Sequence, residues 1–352
     1  MTVEDSVQEL AGEVRPLDED AVARARDWHL TLAKPPGSLG RLEELGAQLS
    51  GMVGEVPPPV PEDPAVVICA GDHGVLARGV SPWPKEITAA MIGSFCTGGA
   101  AANAIARTVG ARLSVLDVGV VSKLERHPLL RTVRVRPGTD DLSRGPAMSR
   151  EDAARAITSG AGIAGELIES GVDLLVTGDM GIGNTTPAAA LISAFTGCPP
   201  EEITGRGTGI DDDTFELKVR VVEEALRLHE PYSDDPLGAL AALGGLEHAA
   251  IVGIVLAGAV YGVPVVLDGV VSNSAALVAQ ALAPDCSGCL IAGHLSVERG
   301  AVVALKHLGL EPVLDLRMRL GEGTGGLLAV PVVQAAARVL GEMATLEEMG
   351  IG

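Results

Sequence analysis

Aromatic residues are nearly missing from this chain: two Trp, two Tyr and three Phe in 352 residues. Hydrophobic residues still make up 47%, so the core has to be built from closely packed Ala, Val, Leu and Ile, with 45 glycines allowing tight turns and near approaches. That is ample material for a buried core and the opposite of a disordered composition. Lysine is scarce as well, at positions 34, 85, 123, 218 and 306 only. The 26 basic residues face 46 acids, a net charge of −20, and a diffusely acidic surface repels nucleic acid and anionic lipid. Neither partner is expected. An acidic protein that takes an anion must gather positive potential locally, from backbone N–H groups, helix N-termini and a few cations. Each lysine is therefore a candidate.

Paired cysteines are also lacking. Cys69, Cys96, Cys198, Cys286 and Cys289 are scattered and odd in number, which points to reduced thiols and a cytoplasmic setting. Cys286-Ser-Gly-Cys289 has the spacing of half a zinc knuckle, but no second pair follows, and no metal is expected. The N-terminal MTVEDSVQELAGE has no apolar stretch of the kind a secretory signal needs. Ala249 to Leu267 is uncharged over 19 residues, yet Gly253, Gly258, Gly262 and Pro264 interrupt it, so it reads as a buried helix followed by a strand.

Short apolar runs ending in Gly, Asp or His recur at 66–74, 113–119, 173–179, 263–269, 289–294 and 312–316. Helical patterns separate most of them, near 88–108, 149–170, 186–196, 212–229, 239–261, 272–282 and 296–308. Strands apolar on both sides and alternating with helices predict an α/β fold: a Rossmann-like, doubly wound, mainly parallel sheet with helices on both faces. Ligands then sit beyond the carboxyl ends of the strands, where the Gly, Asp and His residues gather. Both chain ends lack this alternation and read as helices (3–14, 17–32 and 331–343). The expected division is a large α/β domain over 33–330 and a small helical domain from 1–32 with 331–352. The Pro-rich stretch Gly54 to Pro64 leads into the first strand.

Four segments carry chemistry. Gly178-Asp179-Met180-Gly181-Ile182-Gly183-Asn184-Thr185-Thr186-Pro187 follows a strand and opens a helix, with Thr185 or Thr186 placed to cap and Pro187 near the first turn. Main-chain N–H groups of such a loop can close around an anion. A plain strand-to-helix turn is the bland reading, and three glycines with Asn, two Thr and an acid outweigh it. The pattern is neither Walker A nor G-x-G-x-x-G, so ATP or NAD binding is not supported. In the second segment, 205–213, three Asp before a helix read as caps, while Lys218 in that helix either reaches a nearby phosphate or is a solvated face residue. In the third, 291–298, Ser296 caps a helix and either stops there or also donates to phosphate. In the fourth, Glu322 is flanked by glycines after the last strand. It is either a surface charge or a carboxylate facing an apolar pocket, where its pKa rises and it can take a proton. Asp72 and His73 in GDHGV read as turn residues whose side chains cap nearby backbone.

GDHGV, GGAAANAIAR, GDMGIGNTTPAAAL, GRGTGIDD, DGVVSNSAAL and RLGEGTGG, in this order, resemble the nicotinate-nucleotide–dimethylbenzimidazole phosphoribosyltransferase family over nearly the whole chain. The pairing of GDMGIGNTT with RLGEGTGG carries most of the resemblance. It implies transfer of the 5-phosphoribosyl group from nicotinate mononucleotide to 5,6-dimethylbenzimidazole, for the nucleotide loop of cobalamin, with no cofactor and with a homodimeric enzyme. It implies that Glu322 is the catalytic base. Gly178, Gly181, Ile182, Gly183, Asn184, Thr185, Lys218 and Ser296 then hold the nucleotide and its phosphate. Asp179 stands where a related form of the motif has Glu, and its shorter reach makes it an auxiliary residue. A flat apolar base pocket is expected from Trp83, Met91, Met180 and Leu320, with Phe95 weighed and assigned to the core. The rival readings are a nucleotide hydrolase, a binding protein without catalysis, and a dehydrogenase, the last weakened by the missing G-x-G-x-x-G.

Overall fold

The computed structural model describes residues 2–207, 209–231 and 234–351. Thr208 of the 205–213 segment lies outside them. Six strands form one sheet among the described residues: β1 (Pro64–Gly71), β2 (Arg112–Gly119), β3 (Leu130–Thr132), β4 (Leu174–Met180), β5 (Val265–Leu267) and β6 (Leu290–Ala292). Their spatial order is β3-β2-β1-β4-β5-β6, and every neighbouring pair is parallel. That is the Rossmann order, with the reversal of winding between β1 and β4.

Alternation along the strands explains the two layers. On β1, Ala65, Val67 and Cys69 join one apolar cluster together with the helices Arg150–Glu169, Leu246–Tyr261 and Val270–Leu282. Val66, Ile68 and Ala70 join the other, with the helices Arg41–Val53, Glu86–Thr97, Ala101–Val109 and Thr324–Glu342. With almost no aromatic bulk available, close approach substitutes for size. Helices Arg150–Glu169 and Leu246–Tyr261 cross where a Cβ on Gly160 would collide with the Ala250 carbonyl, and one on Gly253 with the Ile157 carbonyl. The uncharged stretch after Ala249 is this buried helix, followed by β5.

Four features differ from the sequence expectation. The 312–316 run is not a strand: Leu314 makes only an isolated parallel bridge to His294. β3 and the helix Arg41–Val53 were not anticipated, being short and half exposed in the first case and amphipathic without a strong start in the second. The 88–108 and 239–261 patterns each split in two, at Gly98-Gly99 and at Gly244-Gly245. Position 330/331, expected as a boundary, falls inside the continuous helix Thr324–Glu342, and Val7 of the first helix belongs to the main cluster. A small cluster of Val22, Ala25, Ala47 and Leu340 does draw on both chain ends. It is tied by Trp28 Nε1 donating to the Leu340 carbonyl at 3.0 Å and by a bridge between Leu32 and Thr345.

Candidate active site

Beyond the carboxyl ends of β4, β5 and β6 lies an open cleft enclosing about 730 Å³ of space, solvent included. Its walls include Gly181 to Thr185, Lys218, Ser296 and Leu320, which brings four distant sequence segments to one place. The 181–184 turn is closed by Asn184 N–H donating to the Gly181 carbonyl at 3.1 Å, with Gly183 in the left-handed region at φ 92°. The helix Thr185–Thr196 follows, so its N-terminus points at the cleft. Asn184, not Thr185 or Thr186, takes the cap position, and Pro187 is third in the helix rather than first.

Lys218 is buried, not solvated. Its Nζ donates to Thr185 Oγ1 at 2.7 Å and to the Gly205 carbonyl at 3.1 Å, leaving one of three donors for the cleft it lines. Burial pulls its pKa down to about 8, while the neighbouring Glu298 works in the opposite direction. Asp211 caps the Lys218 helix through Thr214 N–H at 2.9 Å, so the Asp run is structural. Ser296 is on the cleft wall but does not cap the following helix, which begins at Arg299 with Glu298 in the cap position. Its Oγ accepts from Glu298 N–H at 3.3 Å.

Two buried carboxyls lie close by. Asp179, the penultimate residue of β4, lines the cleft and accepts from Asn184 Nδ2 at 2.8 Å. Burial, then the charge of Asp268, raises its pKa to about 8, so it is protonated at neutral pH. Glu322 is 5% exposed, and its Oε2 is buried without a hydrogen-bond partner. Burial raises its pKa to about 6, against the pull of the Ala102 N–H at the start of helix Ala101–Val109. The cleft wall runs to Gly321, and the Glu322 carboxylate turns behind it towards that helix. Two carboxyls with different titration points, one neutral and one ionised near pH 7, is the pattern of an acid–base site.

The base-pocket residues are less closely grouped. Leu320 lines the cleft and is 57% exposed. Met180 is buried, and Met91 packs against the same cluster, which also contains Phe95, fully buried as core. Trp83 is half exposed and does not line the cleft. Gly178 is not on the cleft wall either. It lies in β4, where a Cβ would stand 3.0 Å from the backbone of Glu322, so it seats the Glu322 loop and does not line the cleft.

Residues not singled out from sequence complete the site. Arg206, Arg319, His294, Glu298 and Ser81 line the cleft. Asp268 grips the Glu322 loop. Glu247 takes His73 Nε2 and His248 Nδ1, each at 2.8 Å, in a wholly buried cluster. Burial would raise the Glu247 pKa, but the two histidines hold it well below the usual carboxylate range. His73, read from the sequence as a turn residue capping backbone, instead turns its ring inward to Glu247 and lies under the 181–184 loop, where a Cβ on Gly181 would stand 3.0 Å from its Nε2. Asp72 behaves as a turn residue, accepting from Val121 N–H at 2.8 Å. The two scarce cations of the cleft besides Lys218 are arginines in Gly-rich loops, a signal that attention to lysine alone passes over.

Fold and cleft together define a class: a Rossmann-like α/β protein with a glycine-turn cleft and two buried carboxyls of raised pKa at its strand ends. A family model described as "Phosphoribosyltransferase" matches residues 14–351. The nicotinate-nucleotide–dimethylbenzimidazole phosphoribosyltransferase of Salinispora tropica is 53% identical, with 96% of this chain and 97% of the relative covered. The like-named protein of Chloroflexus aurantiacus is 49% identical over 99% of both. A crystal structure of the Thermus thermophilus enzyme of that name superposes with a TM-score of 0.90, at 46% identity over 96% of this chain and 99% of the other. The chain belongs to this phosphoribosyltransferase family.

Proposed function

We propose that the protein transfers the 5-phosphoribosyl group of nicotinate mononucleotide to 5,6-dimethylbenzimidazole, giving α-ribazole 5′-phosphate and nicotinate. Support comes from one observation above all: a buried carboxyl with a raised pKa, Glu322, directly follows Gly321 of a cleft that the 181–184 loop and Lys218 also line.

In the donor, ribose C1′ is bonded to a pyridinium nitrogen. Breaking that bond returns the electron pair to the ring and neutralises it, so the leaving group needs no proton. One benzimidazole nitrogen attacks C1′, and the other N–H must lose its proton to avoid a cationic product. Glu322 accepts it, and its negative charge favours the cationic character that develops at C1′. Asp179, neutral near pH 7, acts as a hydrogen-bond donor at the cleft edge rather than as a second base. The anion loop, Lys218, Ser296 and the two arginines hold the phosphate, and the fixed placement of both substrates supplies effective molarities that can reach about 10⁵ M or more. Attack on the face opposite nicotinate inverts the β-nucleotide to an α-riboside.

Mass spectrometry of the products with and without dimethylbenzimidazole tests this. α-Ribazole 5′-phosphate forming only when the base is present supports the transfer. Rapid release of ribose 5-phosphate without a base contradicts it and favours a hydrolase. We further place the enzyme in the cytoplasm as a homodimer, which sedimentation at twice the chain mass supports and a monomer contradicts.

A further inference from the structure

Glu322 sits in an improbable piece of backbone. Gly321, Glu322 and Gly323 have φ values of 83°, 65° and 80°, three successive residues in the left-handed region, and only the middle one has a side chain. A non-glycine residue there is strained and persists only where its surroundings enforce it. The loop is also pressed onto the strand ends. A Cβ at Gly323 would stand 2.6 Å from Val66 Cγ2, and one at Gly325 would collide with the His294 ring.

Asp268, the residue after β5, supplies the enforcement. Its Oδ2 accepts from Gly323 N–H at 3.2 Å, and its Oδ1 from Gly325 N–H at 2.7 Å and Gly326 N–H at 3.1 Å. Three hydrogen bonds on one carboxylate span the exit from the left-handed turn and the start of helix Thr324–Glu342, whose own cap residue, Gly323, has no side chain to offer. Asp268 is itself fixed: its N–H donates to Thr177 Oγ1 at 3.3 Å, and that hydroxyl pairs with Ser272 Oγ at 2.9 Å. His294 Nε2 approaches Oδ1 at 3.5 Å. Asp268 is 1% exposed and both its carboxylate oxygens are taken up by Gly323, Gly325 and Gly326, so it faces the Glu322 loop rather than the cleft, whereas Glu322 directly follows cleft-lining Gly321. We infer that Asp268 is the positioning residue of the reaction: it locks the Gly321–Gly323 turn in the one conformation that presents the Glu322 carboxylate, and its charge sets the field in which that carboxylate works. The inference rests on the reading of Glu322 as base.

Asp268→Asn can still accept from Gly325 and Gly326, but it turns an amide toward the Gly323 N–H and loses the charge. The expected result is a fall in kcat of about 10²-fold, the effect of a displacement near 1 Å at a reacting group, with dissociation of nicotinate mononucleotide little changed. Removing the negative neighbour also moves the acid limb of the pH–rate profile to lower pH, which a merely structural role would not do. Asp268→Glu keeps the charge but lengthens the reach, so kcat falls while the limb stays in place. This variant carries the test if the Asn form does not fold. A double variant with Glu322→Gln should lose little beyond Glu322→Gln alone, because the positioning by Asp268 acts through that side chain, and what its charge does to Asp179 shows separately in the alkaline limb. Wild-type kcat in both Asp268 variants, an unmoved limb in Asp268→Asn, or additive losses in the double variant would overturn the inference. If Glu322→Gln itself turns over normally, the base reading fails instead, and the two failures are distinguished.

Discussion

At the scale of single residues, the proposed chemistry draws on three groups whose ionisation burial has displaced. Lys218 holds the loop side of the cleft through Thr185 and Gly205. A charge-assisted hydrogen bond contributes about 1.5–3 kcal/mol, so Lys218→Ala should raise KM for nicotinate mononucleotide by roughly 10- to 100-fold with a smaller effect on kcat. An unchanged KM would remove the lysine from the phosphate site. Asp179 gives a stability test with a definite sign. Its pKa rises from 3.8 to about 8 on folding, so between those values the folded chain binds a proton that the unfolded chain has lost. Stability from this group is fully present below about pH 4 and is lost as pH rises towards 8. Asp179→Asn removes the loss and can keep the bond to Asn184, so its Tm relative to the parent should be higher at pH 8 than at pH 5. A difference independent of pH would show that Asp179 is not buried as a neutral acid. Glu322 was the residue the sequence left most open, because a glutamate between glycines looks the same whether it is solvated or enclosed. The fold decides it by laying helix Ala101–Val109 over the carboxylate, a long-range fact with no local signature.

At the scale of elements, strands and their crossover helices were legible because they are apolar on both sides and end in polar loop residues. The 312–316 run shows the limit of that signal. PVLDL has strand composition, yet with His294 already turning away from the sheet it finds only one bridging partner. Ser296 shows another: Ser before a helix suggested a cap, but the chain makes one more turn and starts the helix three residues later. Asp268 and Glu247 were invisible because defining partners are distant in sequence: Gly323, 55 residues from Asp268, and His73, 174 residues from Glu247. The catalytic turn belongs to this scale as well. Gly323→Ala places a Cβ against Val66 in the left-handed region and should destabilise by about 1–3 kcal/mol. Urea unfolding followed by circular dichroism measures it, and a variant of parental stability would mean that the turn relaxes freely and is not enforced.

At the scale of the whole molecule, a net charge of −20 and an anionic donor are reconciled by concentration. A few cations, a glycine loop and a helix N-terminus face one cleft, while the acids are spread over the surface. The winding reversal between β1 and β4 puts GDHGV and GDMGIGN side by side, one supporting the anion loop and the other forming it. Both sides of the sheet bring material to the site, and the last helix delivers Glu322 to the point where they meet. The pH–rate profile of such a site should have its acid limb near pH 6, where the base gains a proton, and an alkaline limb near pH 8, where Lys218 and Asp179 both titrate. A flat profile from pH 5 to 9 would contradict the assignment of these groups. The most direct single measurement is turnover by Glu322→Gln with saturating dimethylbenzimidazole, alongside binding of nicotinate mononucleotide to the same protein. A general base at this position predicts a fall in kcat of about 10²–10⁴-fold with nucleotide affinity retained. Turnover at the parental rate would contradict it.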